Sequence, residues 1–370
     1  MPQVVNGISL DPTEGFDKIT STDKITKGYF TGDEGILNAS DMHSSSISDT
    51  NEKYYFGISK TNTTGSVQFH VAYGNVNGYG SDTDSGGVPG KTKAIYKQWS
   101  NILLSETEVT GGFTISKAGS SSVLSTRDEG IFILSGKREL FKDRINKKNW
   151  TIHMSGSQTN TKGGGFALSS SFLWLTDDSK NTSPTPTPAG PRYNIVSGSD
   201  GNVVVAASTK TYGWFYPDQG VLVFSAAELS ASIPGSGSSV GTVTQYNHHH
   251  YKGFGTTTKI DNNYHEALRF INCAKGAGSY LKFRSEEDQT SVQYFCRARA
   301  AHCNFSNNPT FVSGSQNELR NETMKGNPTV YITGVQLYDG SGTMVATGNL
   351  STPLKKNFSS EATIKVKLTF

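Results

Sequence analysis

A mainly-β fold, with sandwich-like sheets, a few short helices in an α+β arrangement and two domains, is what this sequence predicts. Three observations predict it. Only 34% of residues are hydrophobic and 18% charged, so much of the polarity rests on Ser, Thr, Asn and Gly. That mixture suits sheet edges and turns better than the Leu, Ala, Glu and Lys of helix bundles. Forty glycines punctuate short apolar runs, as many tight turns require. Finally, apolar residues alternate with period two at several places along the chain.

Taken in order, residues 1–80 read as short β-like runs between polar turns. Val67, Phe69, Val71 and Tyr73 alternate with Gln68, His70 and Ala72, placing the large side chains on one strand face. Gly74–Gly90 is too polar and glycine-rich to pack and reads as a loop. Ile95, Trp99, Ile102 and Leu103 recur at helical spacing, which predicts a helix near 92–104. Ile131–Leu134 reads as a buried strand, 136–146 as a short helix carrying Leu140, Phe141 and Ile145, and Trp150, Ile152 and Met154 as the next strand. Asn181–Pro191 holds four prolines and is expected to be extended, either as a linker or as an exposed excursion from one sheet. Taken as a linker it gives an N-terminal β-rich domain over 1–180 and a C-terminal one over 192–370.

Beyond it, Asn202–Ala207 and Gly220–Ser225 read as strands, Ser230–Gly241 as a Gly/Ser loop, and Tyr264, Leu268 and Ile271 as part of one more short helix. Thr329–Tyr338 and Thr343–Leu350 flank Asp339-Gly340-Ser341-Gly342, a strong hairpin signal. In the last strand Ile364, Val366, Leu368 and Phe370 alternate with Lys365, Lys367 and Thr369. These four apolar residues are the expected interface: one face buried, the lysines toward water or an acidic partner. No internal repeat indicates a solenoid or propeller.

Net charge is +3, with both signs mixed along the chain. The densest basic stretch, Lys137–Lys148, is diluted by Glu139 and Asp143 and reads as a solvated face; nucleic acid is not an expected partner. Cys273, Cys296 and Cys303 form an odd, sparse set that implies no disulfide framework. Cys296 lies in the alternating run Val292, Tyr294, Cys296, Ala298 and is expected in a buried strand. No apolar run approaches the ~18 residues of a membrane helix. The first residues lack the basic and apolar regions of a signal peptide, so cytoplasmic synthesis is expected.

Four patterns point toward sites, and their context argues against each. Gly237-Ser238-Ser239-Val240-Gly241 matches a nucleophile elbow, but it follows a Gly/Ser loop and precedes strand-like residues, where that motif needs strand, turn and helix. Ser85–Thr92 is one residue short of a phosphate loop, and Pro89 removes a backbone donor. Asp82-Thr83-Asp84-Ser85-Gly86 begins like a calcium loop but has Lys93 at the twelfth position. His248, His249 and His250 are weak metal candidates, because strand alternation would send neighbours to opposite faces; a loop or a symmetry axis is needed to gather them. Glu286-Glu287-Asp288 beside Arg284 reads as a turn or a salt-linked interface. Sixteen tyrosines tilt the reading toward interfaces, where one apolar and one hydrogen-bonding end are both useful.

Five segments, Lys93–Leu104, Ile131–Gly156, Tyr212–Ser225, Phe283–Gly314 and Pro328–Phe370, resemble virion structural proteins of T4-like myophages, especially those infecting marine cyanobacteria. NFSNNPTFVSG followed by PTVYITGVQLYDGSG is the most specific part, and the N-terminal 90 residues do not share the likeness. The resemblance implies a non-enzymatic subunit of the contractile-tail baseplate, resident in the virion and assembling with other subunits in a symmetric homo- or hetero-oligomer. It implies no catalytic residue, cofactor or metal. The alternatives are a capsid or neck decoration protein, a host-binding fibre-type protein, and a tail-associated glycan hydrolase, which would need two carboxylates at catalytic separation.

Overall fold

The structure is a computed structural model. It describes residues 16–46, 54–60, 66–78, 90–115, 127–155, 172–229, 267, 270, 271, 273–276, 278–302, 304, 305 and 308–370. The elements of the first part are β1 (Phe16–Gly28), β2 (Ile36–Asn38), β3 (Met42–Ser46), β4 (Tyr55–Lys60), β5 (Val67–Asn75), α1 (Lys91–Leu103), α2 (Glu106–Val109) and β6 (Gly130–Gly136). There follow α3 (Arg138–Phe141), β7 (Arg144–Ile145), β8 (Thr151–Ser155), β9 (Phe172–Asp177), β10 (Thr185–Thr187), β11 (Gly190–Ser199) and β12 (Asn202–Val203). Next come β13 (Gly213–Tyr216), β14 (Val221–Ser225), α4 (Ala226–Leu229), β15 (Tyr280–Lys282) and β16 (Arg284–Ala298). The chain ends with β17 (Val312–Ser313), β18 (Glu318–Leu319), β19 (Val330–Tyr338), β20 (Met344–Lys356) and β21 (Ala362–Thr369). The fold is mainly β, as expected.

Two units divide the chain: Ile25–Glu287, and a terminal unit of Met1–Lys24 with Asp288–Phe370. In the first, one antiparallel sheet runs β2-β15-β8-β9-β11-β13-β14-β6-β5-β4-β3. Its two end strands, β2 and β3, are consecutive in the chain and joined only by the 3₁₀ turn Ala39–Asp41. Four residue steps span at most about 15 Å, so the sheet edges approach each other and the sheet is almost a closed barrel.

Alternation fills the inside of this barrel. Phe69, Val71 and Tyr73 of β5, Phe132 and Leu134 of β6, and Ile152 and Met154 of β8 join one buried cluster with Leu175, Ile195, Phe215 and Leu281. Trp150 stacks on Phe283 at 5.5 Å and 9° within it. Each such side chain contributes about 1.5–3 kcal/mol through removal from water. The opposite faces of β5, β6, β13 and β14, with Ala72, Ile131, Ile133, Trp214 and Val223, form a second cluster with Ile95, Tyr96 and Leu103 of α1. The helix is rotated from its expected face: Tyr96 is buried, whereas Ile102 is exposed. Gly74 explains the rotation, because a Cβ there would lie 2.9 Å from the Tyr96 nitrogen. The Tyr96 hydroxyl donates to Asp128 O at 2.9 Å and accepts from Phe113 N at 3.0 Å.

The proline-rich segment does not divide the chain. β9 and β11, on either side of it, pair directly, Ile195 opposite Asp177, while β10 folds back on β11. The expected boundary between 1–180 and 192–370 is therefore replaced by boundaries within β1 and β16, and 181–191 is an excursion from one sheet. Its prolines tolerate this place because an edge pairing needs few of their missing N–H groups. The helix expected over 136–146 is one turn, α3. Lys142 at φ 51° stops it, and Ile145 turns instead into β7, opposite Ser285 of β16. The strand expected over 202–207 is only the two-residue β12.

The terminal unit is built differently. Its strands pair in the order β1-β16-β21, with β17–β18 and β19–β20 as separate two-stranded pieces. Among the described residues its buried side chains are few: Val292, Ala298, Val312 and Ala362 among the apolar ones, Ser291, Asn304 and Lys356 among the polar. Both hydrophobic clusters consist of residues from the other unit.

Candidate assembly surface

β21 lies antiparallel to β16, and the register sorts side chains into two faces. Val292 sits opposite Leu368, Tyr294 opposite Val366, Cys296 opposite Ile364 and Ala298 opposite Ala362. Period-two alternation puts these eight on one face. Ile364, Val366, Leu368, Tyr294 and Cys296 are only half-buried there, and Phe370, beyond the strand, is 76% exposed. Cys296, expected to be buried, is thus partly covered, and that burial pushes its thiol pKa up. The opposite face carries Lys365, over the Phe295 ring at 5.7 Å, and Lys367, 3.6 Å from Asp23.

The β19–β20 hairpin forms where expected, and β20 runs on to Lys356. Its turn is set by Asp339, whose carboxylate accepts from Ser341 N at 2.9 Å, Ser341 Oγ at 2.7 Å and Thr343 N at 2.8 Å. Those bonds, the Ser341 hydroxyl first, lower its pKa. From Val330 to Leu354 Asp339 is the single charged residue. Tyr331, Tyr338, Met344, Val345 and Leu354 are nevertheless exposed. A lone two-stranded hairpin is marginal in water, and unpaired strand edges without charges are templates for another chain.

One contact anchors this hairpin. The ammonium of Lys356, fully buried, donates to Ala300 O at 3.1 Å, to Asn304 Oδ1 at 2.9 Å and to His302 O. Three donors meet three acceptors, so a buried cation is satisfied without a carboxylate. The sequence shows Lys355-Lys356 only as a pair of surface-type residues and gives no sign of this role.

Elsewhere, ionisable groups serve the fold. Asp128, buried, accepts from Ser225 Oγ and Ile115 N, each at 2.6 Å. Asp177 accepts from Lys148 N at 2.9 Å and from Ser179 Oγ, and its burial pushes its pKa up. Asp178 accepts from Asn194 N at 3.0 Å and Nδ2 at 2.8 Å. In the basic stretch, Lys137 pairs with Glu139, Lys142 with Glu287 and Arg144 with Glu286. The acidic run thus lies in β16, salt-linked to 142–144. Thr92, at the end of the phosphate-loop-like pattern, is buried at the start of α1. Residues 82–86, 237–241, His248, His249, His250 and Cys303 lie outside the described residues. Among the described residues, no group of three or more His, Cys, Asp or Glu side chains gathers as metal ligands, and no helix is long and apolar enough to cross a membrane.

No protein-family profile, curated protein or solved structure matches this chain.

Proposed function

We propose that this chain is a non-enzymatic structural subunit of a tailed-phage virion, assembled into the contractile-tail baseplate through its terminal unit. One observation carries the assembly part of this reading. The terminal unit exposes a hairpin with a single charge between Val330 and Leu354, Asp339, and a half-covered apolar sheet face, while its buried apolar residues among the described ones are Val292, Ala298, Val312 and Ala362. Such a surface gains most when neighbouring subunits add strands or cover the face, because backbone hydrogen bonds and apolar burial then come together. The absence of charge over most of the hairpin also removes the like-charge repulsion that arises where copies meet around a symmetry axis. The virion location rests on the resemblance of the five segments, of which Pro328–Phe370 contains this hairpin and the last strand.

The test is mass spectrometry of purified phage particles separated into tail and capsid fractions. Peptides of this chain concentrated with tails support the baseplate reading. Their presence with capsids moves the chain to a head or neck role, and their absence from both contradicts a structural role.

A further inference from the structure

The outward face of the barrel is covered by α1 over β5, β6, β13 and β14, and is furnished differently over β9, β8, β15 and β2. Across β9, β8, β15 and β2 the register aligns Trp174, His153, Tyr280 and Asn38 in one row. The row is about 14 Å long at the usual strand spacing. The neighbouring row inward, Leu175, Ile152, Leu281 and Leu37, is fully buried in the barrel core, so the Trp174 row faces out. The outward face of an antiparallel sheet is ordinarily polar. Here Trp174 is 42% exposed and Phe172, two residues before it on the same face, 48%. His153 stacks on Trp174 at 4.5 Å and 16°, with Phe172 and Tyr280 each 5.2 Å away.

We propose that this aromatic row is a binding platform for a neutral saccharide chain, whose C–H faces stack on Trp174 and Phe172 and whose hydroxyls bond the polar groups beside them. Three observations select that chemistry. The polar members offer both senses of hydrogen bond: the Asn38 amide is exposed, Tyr280 presents a hydroxyl, and His153 supplies an acceptor. The last follows from its tautomer. Nδ1 lies 2.8 Å from Gly278 O, an acceptor, so Nδ1 carries the hydrogen and Nε2 the lone pair. His153 is buried by the same neighbours (6% exposed), and Nε2 has no partner; burial, opposed by the Gly278 bond, also lowers its pKa. A buried acceptor without a donor costs free energy, and a hydroxyl supplies one.

Charge is the second observation. Lys282 Nζ and Asp200 Oδ2, bordering the row, are 2.7 Å apart and neutralise each other, so the border favours a neutral ligand over a phosphate. Size is the third. Two half-exposed rings offer on the order of 200 Å², against the ~800 Å² each partner buries in a standard protein interface. A sugar fits that footprint and a protein partner does not. The site belongs to the barrel unit and stands independently of the assembly proposal.

The test is calorimetric titration of the full chain with maltohexaose, cellohexaose, laminarihexaose and chitohexaose. Binding of at least one is expected, weakened about tenfold by Trp174→Ala and about fivefold by Tyr280→Phe, which removes one hydroxyl and keeps the ring. Circular dichroism checks that each variant is folded, and Tyr280→Phe carries the test should Trp174→Ala fail to fold. Absence of heat with all four sugars overturns the proposal. So does binding unchanged in both folded variants, or self-association of the chain that Trp174→Ala removes, which would make the row a protein contact.

Discussion

The barrel unit and the terminal unit use the same alternation to different ends. In the barrel, one side of β5 meets a cluster containing Phe132, Ile152 and Phe215, and the other meets α1, so Phe69 and Ala72 are both covered. In the terminal unit, β21 has an equally regular pattern, yet Ile364, Val366 and Leu368 stay half-exposed. Regular strands therefore do not require a local core; they require a cover, which under the assembly proposal comes from neighbouring subunits. A sheet's sequence pattern reports which face is to be buried, without reporting which chain buries it.

The sharpest way to break the comparison is to remove β21. Deletion of residues 361–370 is expected to abolish incorporation into particles, measured by mass spectrometry of purified virions, because Val292, Tyr294 and Cys296 lose their cross-strand partners. Normal incorporation would sink the assembly role of this strand. Next in size is Trp150→Ala. Trp150 is fully buried against Phe283 and Phe215, and its loss is expected to cost about 3–5 kcal/mol in denaturant unfolding. Tyr331→Ser, on the exposed hairpin, is expected to change the same unfolding by less than about 0.5 kcal/mol while weakening association. A cost like that of Trp150→Ala would mean that the terminal unit has a core of its own.

Lys356→Met should fall between these. It leaves three oxygens without their donor, that of buried Asn304 among them, at about 2–3 kcal/mol, and should raise hydrogen exchange in 299–305 without altering the barrel. The smallest effect concerns Glu108. Burial raises its pKa, but the Arg192 guanidinium, donating at 3.1 and 3.2 Å, outweighs this with Ser105 and holds the carboxyl below its ordinary range. A lowered folded pKa stabilises above the unfolded value and is lost as pH falls through the folded one. The melting temperature of Glu108→Gln should accordingly lie below that of the native chain at neutral pH and converge with it as pH falls through the lowered folded pKa. A pH-independent difference would count against the ion pair.

Much of the barrel was legible where one face dominates: Phe69, Val71 and Tyr73, or Ile152 and Met154, announce their strands. The hairpin around Asp339 and the last strand were legible for the same reason, together with turn chemistry. What escaped depends on long-range pairing. The Pro-rich stretch resembles a linker because prolines break ladders locally, yet β9 and β11 meet across it. The 136–146 helix pattern yields to a left-handed Lys142 and the pairing of Ile145 with Ser285. Ile102 looked like a helix-face residue because spacing does not see Gly74. The aromatic row left one trace, Phe172 and Trp174 interleaved with Leu173 and Leu175, a strand apolar on both faces. Lys356 left none, since a satisfied buried lysine and a surface lysine read alike.

The most direct test of assembly through the terminal unit is hydrogen exchange read by mass spectrometry, on the purified chain alone and on the chain within particles. Slow exchange is expected in β5, β6 and β8 in both states, and in β19, β20 and β21 only within particles. Equal protection of these three terminal strands in both states would contradict it.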